Sequence, residues 1–76
     1  MTLKEKLELI KGVKLVVKRE KEFEVVFFSE QKESKKYNED LEYNLFLCFD
    51  FLGLDYIVDE RSNEGLDIRV WKKINK

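Results

Sequence analysis

Residues Asn38–Gly53, NEDLEYNLFLCFDFLG, can form either a helix or a strand, and the architecture of the whole chain turns on which. Leu41, Leu45, Cys48 and Leu52 recur at three- and four-residue spacing and share one helical face. Asn38 offers a capping side chain, and Glu39 and Asp40 set negative charge at the positive end of the helix dipole. Gly53 supplies a left-handed C-terminal cap, with the apolar Leu54 beyond it. The aromatic content of Tyr43–Leu52 would also suit a strand, but the two end signals favour the helix. On that helix Tyr43, Phe46, Leu47 and Phe51 fall largely off the core stripe.

The same start and stop signals recur at the beginning of the chain. Thr2-Leu3-Lys4-Glu5 has capping-box spacing, Leu3, Leu7 and Ile10 share a face, and Gly12-Val13 ends the segment. A first helix is therefore expected over Leu3–Lys11. Val13–Lys18 and Phe23–Phe28 are runs of β-branched and aromatic residues on either side of Arg19-Glu20-Lys21-Glu22, which reads as a hairpin without the Asn-Gly signal. Ser29–Asn38 is polar and aperiodic, a loop. Asp55–Glu60 and Leu66–Lys72 alternate with period two across Ser62-Asn63-Glu64-Gly65, a second hairpin. The order αββαββ predicts an α+β fold, with a four-stranded antiparallel sheet and both helices packed on one face.

Strand alternation then divides the side chains between the two sheet faces. Val13/Leu15/Val17, Phe23/Val25/Phe27, Tyr56/Val58 and Leu66/Ile68/Val70 are expected to meet the helices. Val16, Val26, Phe28, Ile57 and Trp71 are expected on the opposite face, flanked by Lys14, Lys18, Glu24 and Arg69. Two helices cannot cover both faces, so large apolar side chains are left for a partner or a second copy.

The 76 residues make one domain, spanning 1–76, whose thin core leaves roughly 4–11 kcal/mol of stability. Charge is segregated along the chain: residues 1–36 carry ten cations and seven acids, residues 37–60 seven acids and no cation, residues 61–76 five cations and two acids. A net charge of −1 thus hides a −7 centre, readable as a solvated surface or as a docking surface for a basic partner. Proline, alanine and histidine are absent, and the scarcity of GC-rich codons points to an AT-rich genome such as that of a low-GC bacterium or its phage. The Lys/Glu bias fits a thermophile equally well. With no apolar leader, no membrane-length apolar run and one cysteine, a cytoplasmic location and no membrane association are expected.

Lack of histidine removes Ser-His and Cys-His nucleophile pairs, and a single cysteine cannot build a zinc site. Cys48, on the core stripe, reads as a small buried hydrophobe. Asp55 and Asp59 point to one face of the third strand and the fourth brings Asp67 beside them, a pattern that could hold Mg²⁺. Gly65-Leu66-Asp67-Ile68 resembles the Gly-x-Asp-Ile segment of restriction-endonuclease-like nucleases, although the acid-x-Lys strand that follows in that family has no counterpart after Asp67. That resemblance implies a nuclease-like remnant, the third of three readings.

The first reading is a small non-catalytic protein-interaction domain without cofactor or metal. It would be either a phage-type inhibitor of a larger, nucleic-acid-handling protein or a homodimeric accessory protein. Its candidate contact residues are Glu39, Asp40, Glu42, Tyr43, Phe46, Phe28, Trp71 and Arg69. The second is a nucleic-acid-binding domain in which Trp71 and Phe28 stack bases while Lys14, Lys18 and Arg69 neutralise phosphates. The acidic centre counts against it.

Overall fold

The computed structural model describes residues 1–28, 39–62 and 65–73. Its elements run α1 (Leu3–Glu8), β1 (Val13–Arg19), β2 (Glu22–Phe28), α2 (Glu39–Phe51), β3 (Leu54–Arg61) and β4 (Gly65–Lys72). All neighbouring strands are antiparallel, in the order β1-β2-β4-β3. The stretch 39–51 is helix, and the expected α+β plan holds. The expected loop over 29–38, including the Asn38 cap, and the turn residues Asn63 and Glu64 lie outside the described residues.

The local signals act as the chemistry requires. Thr2 Oγ1 accepts the Glu5 N–H at 3.3 Å and donates to the Glu5 carboxylate at 3.0 Å, so residue and acid fix each other at the start of α1. That helix stops at Glu8, three residues short of the expected Lys11, and a turn carries the chain to Gly12. Gly53 (φ +72°) takes the left-handed conformation that closes α2, whereas Gly12 (φ +92°), expected to cap the first helix, lies in the turn after it, because α1 already ends with Leu9 as its right-handed C-cap. Glu20 also has a positive φ (+41°), in a two-residue turn joining β1 to β2.

The hydrophobic core is one cluster between the helices and one sheet face. Leu7 of α1 and Leu45 and Phe49 of α2 meet Val16, Val25, Phe27, Leu54, Leu66, Ile68 and Val70. Phe49 was absent from the expected stripe, and Phe46, expected to point outward, instead lies half-buried against it. Its ring stacks on Tyr56 at 4.6 Å and 11°. The position of α2 over β3, whose Tyr56 it must reach, explains both differences: the helix is rotated so that its aromatic flank faces the sheet.

The face assignment holds on β2, β3 and β4 and at Val13 on β1, and fails on β1 from Leu15 onward. Between Val13 and Leu15 the register shifts, leaving Lys14 as an extra residue. A one-residue bulge reverses every side chain beyond it. Val16 is therefore buried, Leu15 and Val17 are exposed on the outer face, and Lys18 turns away from that face. A second bulge, between Val58 and Glu60, lies on the other edge strand.

Two measurements test this packing. Leu45 is fully buried, and Leu45→Ala is expected to cost about 2–5 kcal/mol in urea unfolding; a loss below about 1 kcal/mol would place Leu45 at the surface. Burial first, then the charges of Asp50 and Glu42, raise the Tyr56 phenol above its ordinary 10.0. The folded state thus favours the neutral ring, a contribution complete below about pH 10 and lost as pH rises through the folded value. Tyr56→Phe should flatten the alkaline fall in unfolding midpoint; parallel curves for the two proteins would acquit Tyr56.

Candidate interaction surfaces

The sheet's outer face is built from rows of residues paired across all four strands. One row reads Leu15, Val26, Asp67, Glu60, and the next Val17, Glu24, Arg69, Ile57, in the spatial order β1-β2-β4-β3. Beyond them Arg19 stands beside Glu22, and Trp71 beside Asp55. No secondary-structure layer among the described residues covers this face, and Leu15 (53% exposed), Val17, Phe28 and Ile57 (49%) show large apolar surfaces on it.

Ion pairs tie much of the face together. Arg69 Nε donates to Asp59 Oδ2 at 2.7 Å and a terminal nitrogen lies 3.7 Å from Glu22, while Arg19 meets Glu24 at 3.0 Å. The hydrogen bond to Asp59, followed by that carboxylate's charge, raises the Arg69 guanidinium above its ordinary value. Arg69 is thus held as a structural cation across three strands. Asp67 Oδ1 is buried without a hydrogen-bond partner.

This geometry separates the residues that would have to cooperate on a nucleic acid. Phe28, with Lys14 Nζ 6.0 Å from its ring centre, sits at one end of the sheet. Trp71 sits at the other, about six residues and roughly 20 Å along the strands. Lys18 joins Trp71, with Arg19, Lys21 and Lys72, only around the end of the sheet. The three aspartates also fail to converge: Asp55 is beside Trp71, Asp59 is on Arg69, and Asp67 is beside Glu60. Among the described residues no group of three metal-capable side chains forms.

The helix layer presents a different surface. Glu39 and Asp40 are exposed in the first turn of α2, whereas Glu42 is half-buried and receives both terminal nitrogens of Arg61, at 2.9 and 3.3 Å. Asp50 lies 4.0 Å from Lys73. Three acids of the −7 centre (Glu42, Asp50, Asp59) are therefore matched by Arg61, Lys73 and Arg69 from the basic C-terminal segment. Charges segregated along the chain partly neutralise each other in space.

Facing solvent, Tyr43, Leu47 and Phe51 form a stripe at four-residue intervals, 65%, 46% and 91% exposed. Beside it Ile10, Leu47, Cys48, Phe51 and Leu52 line a groove between the two helices, with Lys6 and Asn44 at its rim. Cys48 is half-buried there, not fully enclosed. Leu47 and Phe51 had stood apart from the expected contact residues, although their spacing from Tyr43 was a signal that could have joined them. Trp71, one of those expected residues, is half-buried at the sheet end.

Fold and surfaces together define a small antiparallel α+β domain with an uncovered sheet face and an apolar outer helix stripe. Compared with known proteins, the chain matches no family model, no curated protein and no solved structure. Among the described residues no helix is long and apolar enough to cross a membrane.

Separation of Trp71 from Phe28, and the engagement of Arg69, predict poor nucleic-acid binding. Titrating single-stranded DNA or RNA at low salt while following Trp71 fluorescence should give no saturable change at micromolar concentrations. Micromolar binding that weakens steeply with salt would instead assign this surface to nucleic acid.

Proposed function

We propose that this chain is a small non-catalytic protein-interaction domain, and that the outward stripe of α2 is what it offers a partner protein. The observation that carries the reading is the exposure of Tyr43, Leu47 and Phe51 on a helix whose other side already fills the core. A surface helix with one core-facing stripe is normally polar on its far side. Here the far side repeats apolar residues at i, i+4 and i+8, the spacing by which a helix anchors itself in an apolar groove. Fully burying a phenylalanine or leucine side chain contributes about 1.5–3 kcal/mol, which makes such anchors the large favourable contributions in a complex of this kind.

Charge narrows the partner's chemistry. Glu39 and Asp40 open the helix without ion-pair partners among the described residues, and Asp50 lies beside Phe51 with most of its carboxylate in water. An apolar groove edged by lysine or arginine would complement this stripe, and long-range attraction would speed the encounter. Proteins that handle nucleic acids carry such basic surfaces, which favours an inhibitor or accessory subunit of one of them. Absence of histidine from the chain accords with a role that is not catalytic.

The test is a paired isolation from cells of the wild type and of the double variant Leu47→Lys/Phe51→Glu. Because both side chains are solvent-exposed, the variant should keep thermal stability within about 0.5 kcal/mol of the wild type. One protein should be retained stoichiometrically by the wild type and lost from the variant. Equal retention by both would remove α2 from the contact surface, and unfolding of the variant would mean that Leu47 or Phe51 supports the fold.

A further inference from the structure

We infer that the cavity at the turn end of the sheet binds a small amphipathic anion, an alkyl or acyl chain ending in a carboxylate or phosphate. The inference does not depend on the reading of α2, whose groove shares no lining residue with this cavity.

The cavity opens where the core runs out of cover. Helix α1 is only six residues long, and its first residue, Leu3, is what reaches the end of the sheet. Leu3, Phe23 and Trp71 are half-buried there and give an apolar lining to a volume of about 1020 Å³. Sites for small molecules are concave and mostly apolar, with a few placed polar groups, and they fall near this size.

Charge at the rim follows from strand register. Lys18 on β1 lies across from Phe23, and Phe23 lies across from Val70. Lys72 follows Val70 by two residues and Lys21, in the turn, precedes Phe23 by two. Alternation therefore brings all three lysines to the helix side of the strand ends. Each lines the cavity, and none has an ion pair among the described residues.

The arginines have taken the nearby acids. Arg19 holds Glu24 at 3.0 Å, and Arg69 lies 3.7 Å from Glu22. Four cations (Lys18, Arg19, Lys21, Lys72) and two acids (Glu20, Glu22) line the cavity, so Glu20 is left against three lysines. Asp55, across from Trp71, stands on β3 and outside the lining. Like charges gathered at one rim repel, and an anion entering among them relieves the repulsion. A bare anion would leave the apolar lining wet, and an uncharged apolar molecule would gain nothing from the lysines. A tail along Leu3, Phe23 and Trp71 with its head at the lysines uses both.

Trp71 is the chain's one tryptophan and lines the cavity, so its fluorescence reports occupancy. Dodecanoate, titrated into the full chain below its micellar concentration, should give a saturable change, and dodecyl phosphate should do the same. Lys18→Glu/Lys72→Glu should weaken both at least about tenfold, and Lys18→Gln/Lys72→Gln should weaken them less. Phe51→Glu should leave them unchanged. Both lysines are exposed, and circular dichroism of each variant checks the fold. Dodecyltrimethylammonium, inorganic phosphate and phosphatidylglycerol vesicles should give no saturable change at the same concentrations. Absence of saturation by either anionic amphiphile, or equal saturation by the cationic one, overturns the inference. So does binding indifferent to the lysine substitutions, or binding lost in Phe51→Glu, which would put the tail in the helix groove. Saturation by phosphate alone would remove the tail from recognition, and a response to vesicles without one to monomeric dodecanoate would make the site a membrane contact; either overturns it.

Discussion

The antiparallel pairing of β2 with β4 is the constraint on which everything else depends. Each hairpin alone is too small to be stable in water, and only the Phe23↔Val70 to Phe28↔Gly65 ladder makes them one sheet. It also closes the longest loop in the fold, since α2 and β3 intervene in sequence, so it carries the largest entropic cost. Glycine at position 65 is what permits it: a Cβ there would collide with the carbonyl oxygen of Phe27. A Cβ on Gly12 would likewise meet the Phe27 ring at 2.6 Å. Two glycines thus let the chain close around one phenylalanine, and that phenylalanine lies at the centre of the core.

Joining the hairpins creates the two surfaces as well as the core. The inner face supplies most of the buried apolar side chains and receives Leu7, Leu45 and Phe49. Because side chains alternate along each strand except at the two bulges, filling the inner face fixes most of what the outer face must show. The rows that cross it exist only because β2 and β4 are adjacent. Arg69 makes the point directly: on β4 it reaches Glu22 on β2 and Asp59 on β3, joining three strands with one guanidinium. The residues that hold the sheet together electrostatically are thus the ones that give its outer face an ordered pattern of charge.

Much of this was legible in the sequence because it depends on local chemistry. The glycine stop at 53, the Thr2–Glu5 capping box and the period-two alternation of β2, β3 and β4 each state their structure within a few residues. What escaped was non-local. Nothing in Val13-Lys14-Leu15-Val16-Val17 marks Lys14 as a bulge, since four apolar residues around a lysine satisfy either register; the choice is made by Phe27 and Val25 across the ladder. The rotation of α2 that buries Phe49 and turns Phe46 onto Tyr56 depends on where β3 lies beneath it. Charge segregation was visible, but its partial cancellation through Arg61, Arg69 and Lys73 is a property of the fold.

Native-state amide hydrogen exchange read residue by residue tests the central claim most directly. If the β2–β4 ladder is the element that makes the domain cooperative, amides in Phe23–Phe28 and Gly65–Val70 should exchange most slowly. They should do so with one shared opening free energy equal to that of global unfolding, while the bulged edge strands β1 and β3 open more easily. Two hairpins that exchange with different free energies, each protected internally while the ladder amides between them exchange fast, would contradict the account: the chain would then be two weakly associated units and not one sheet.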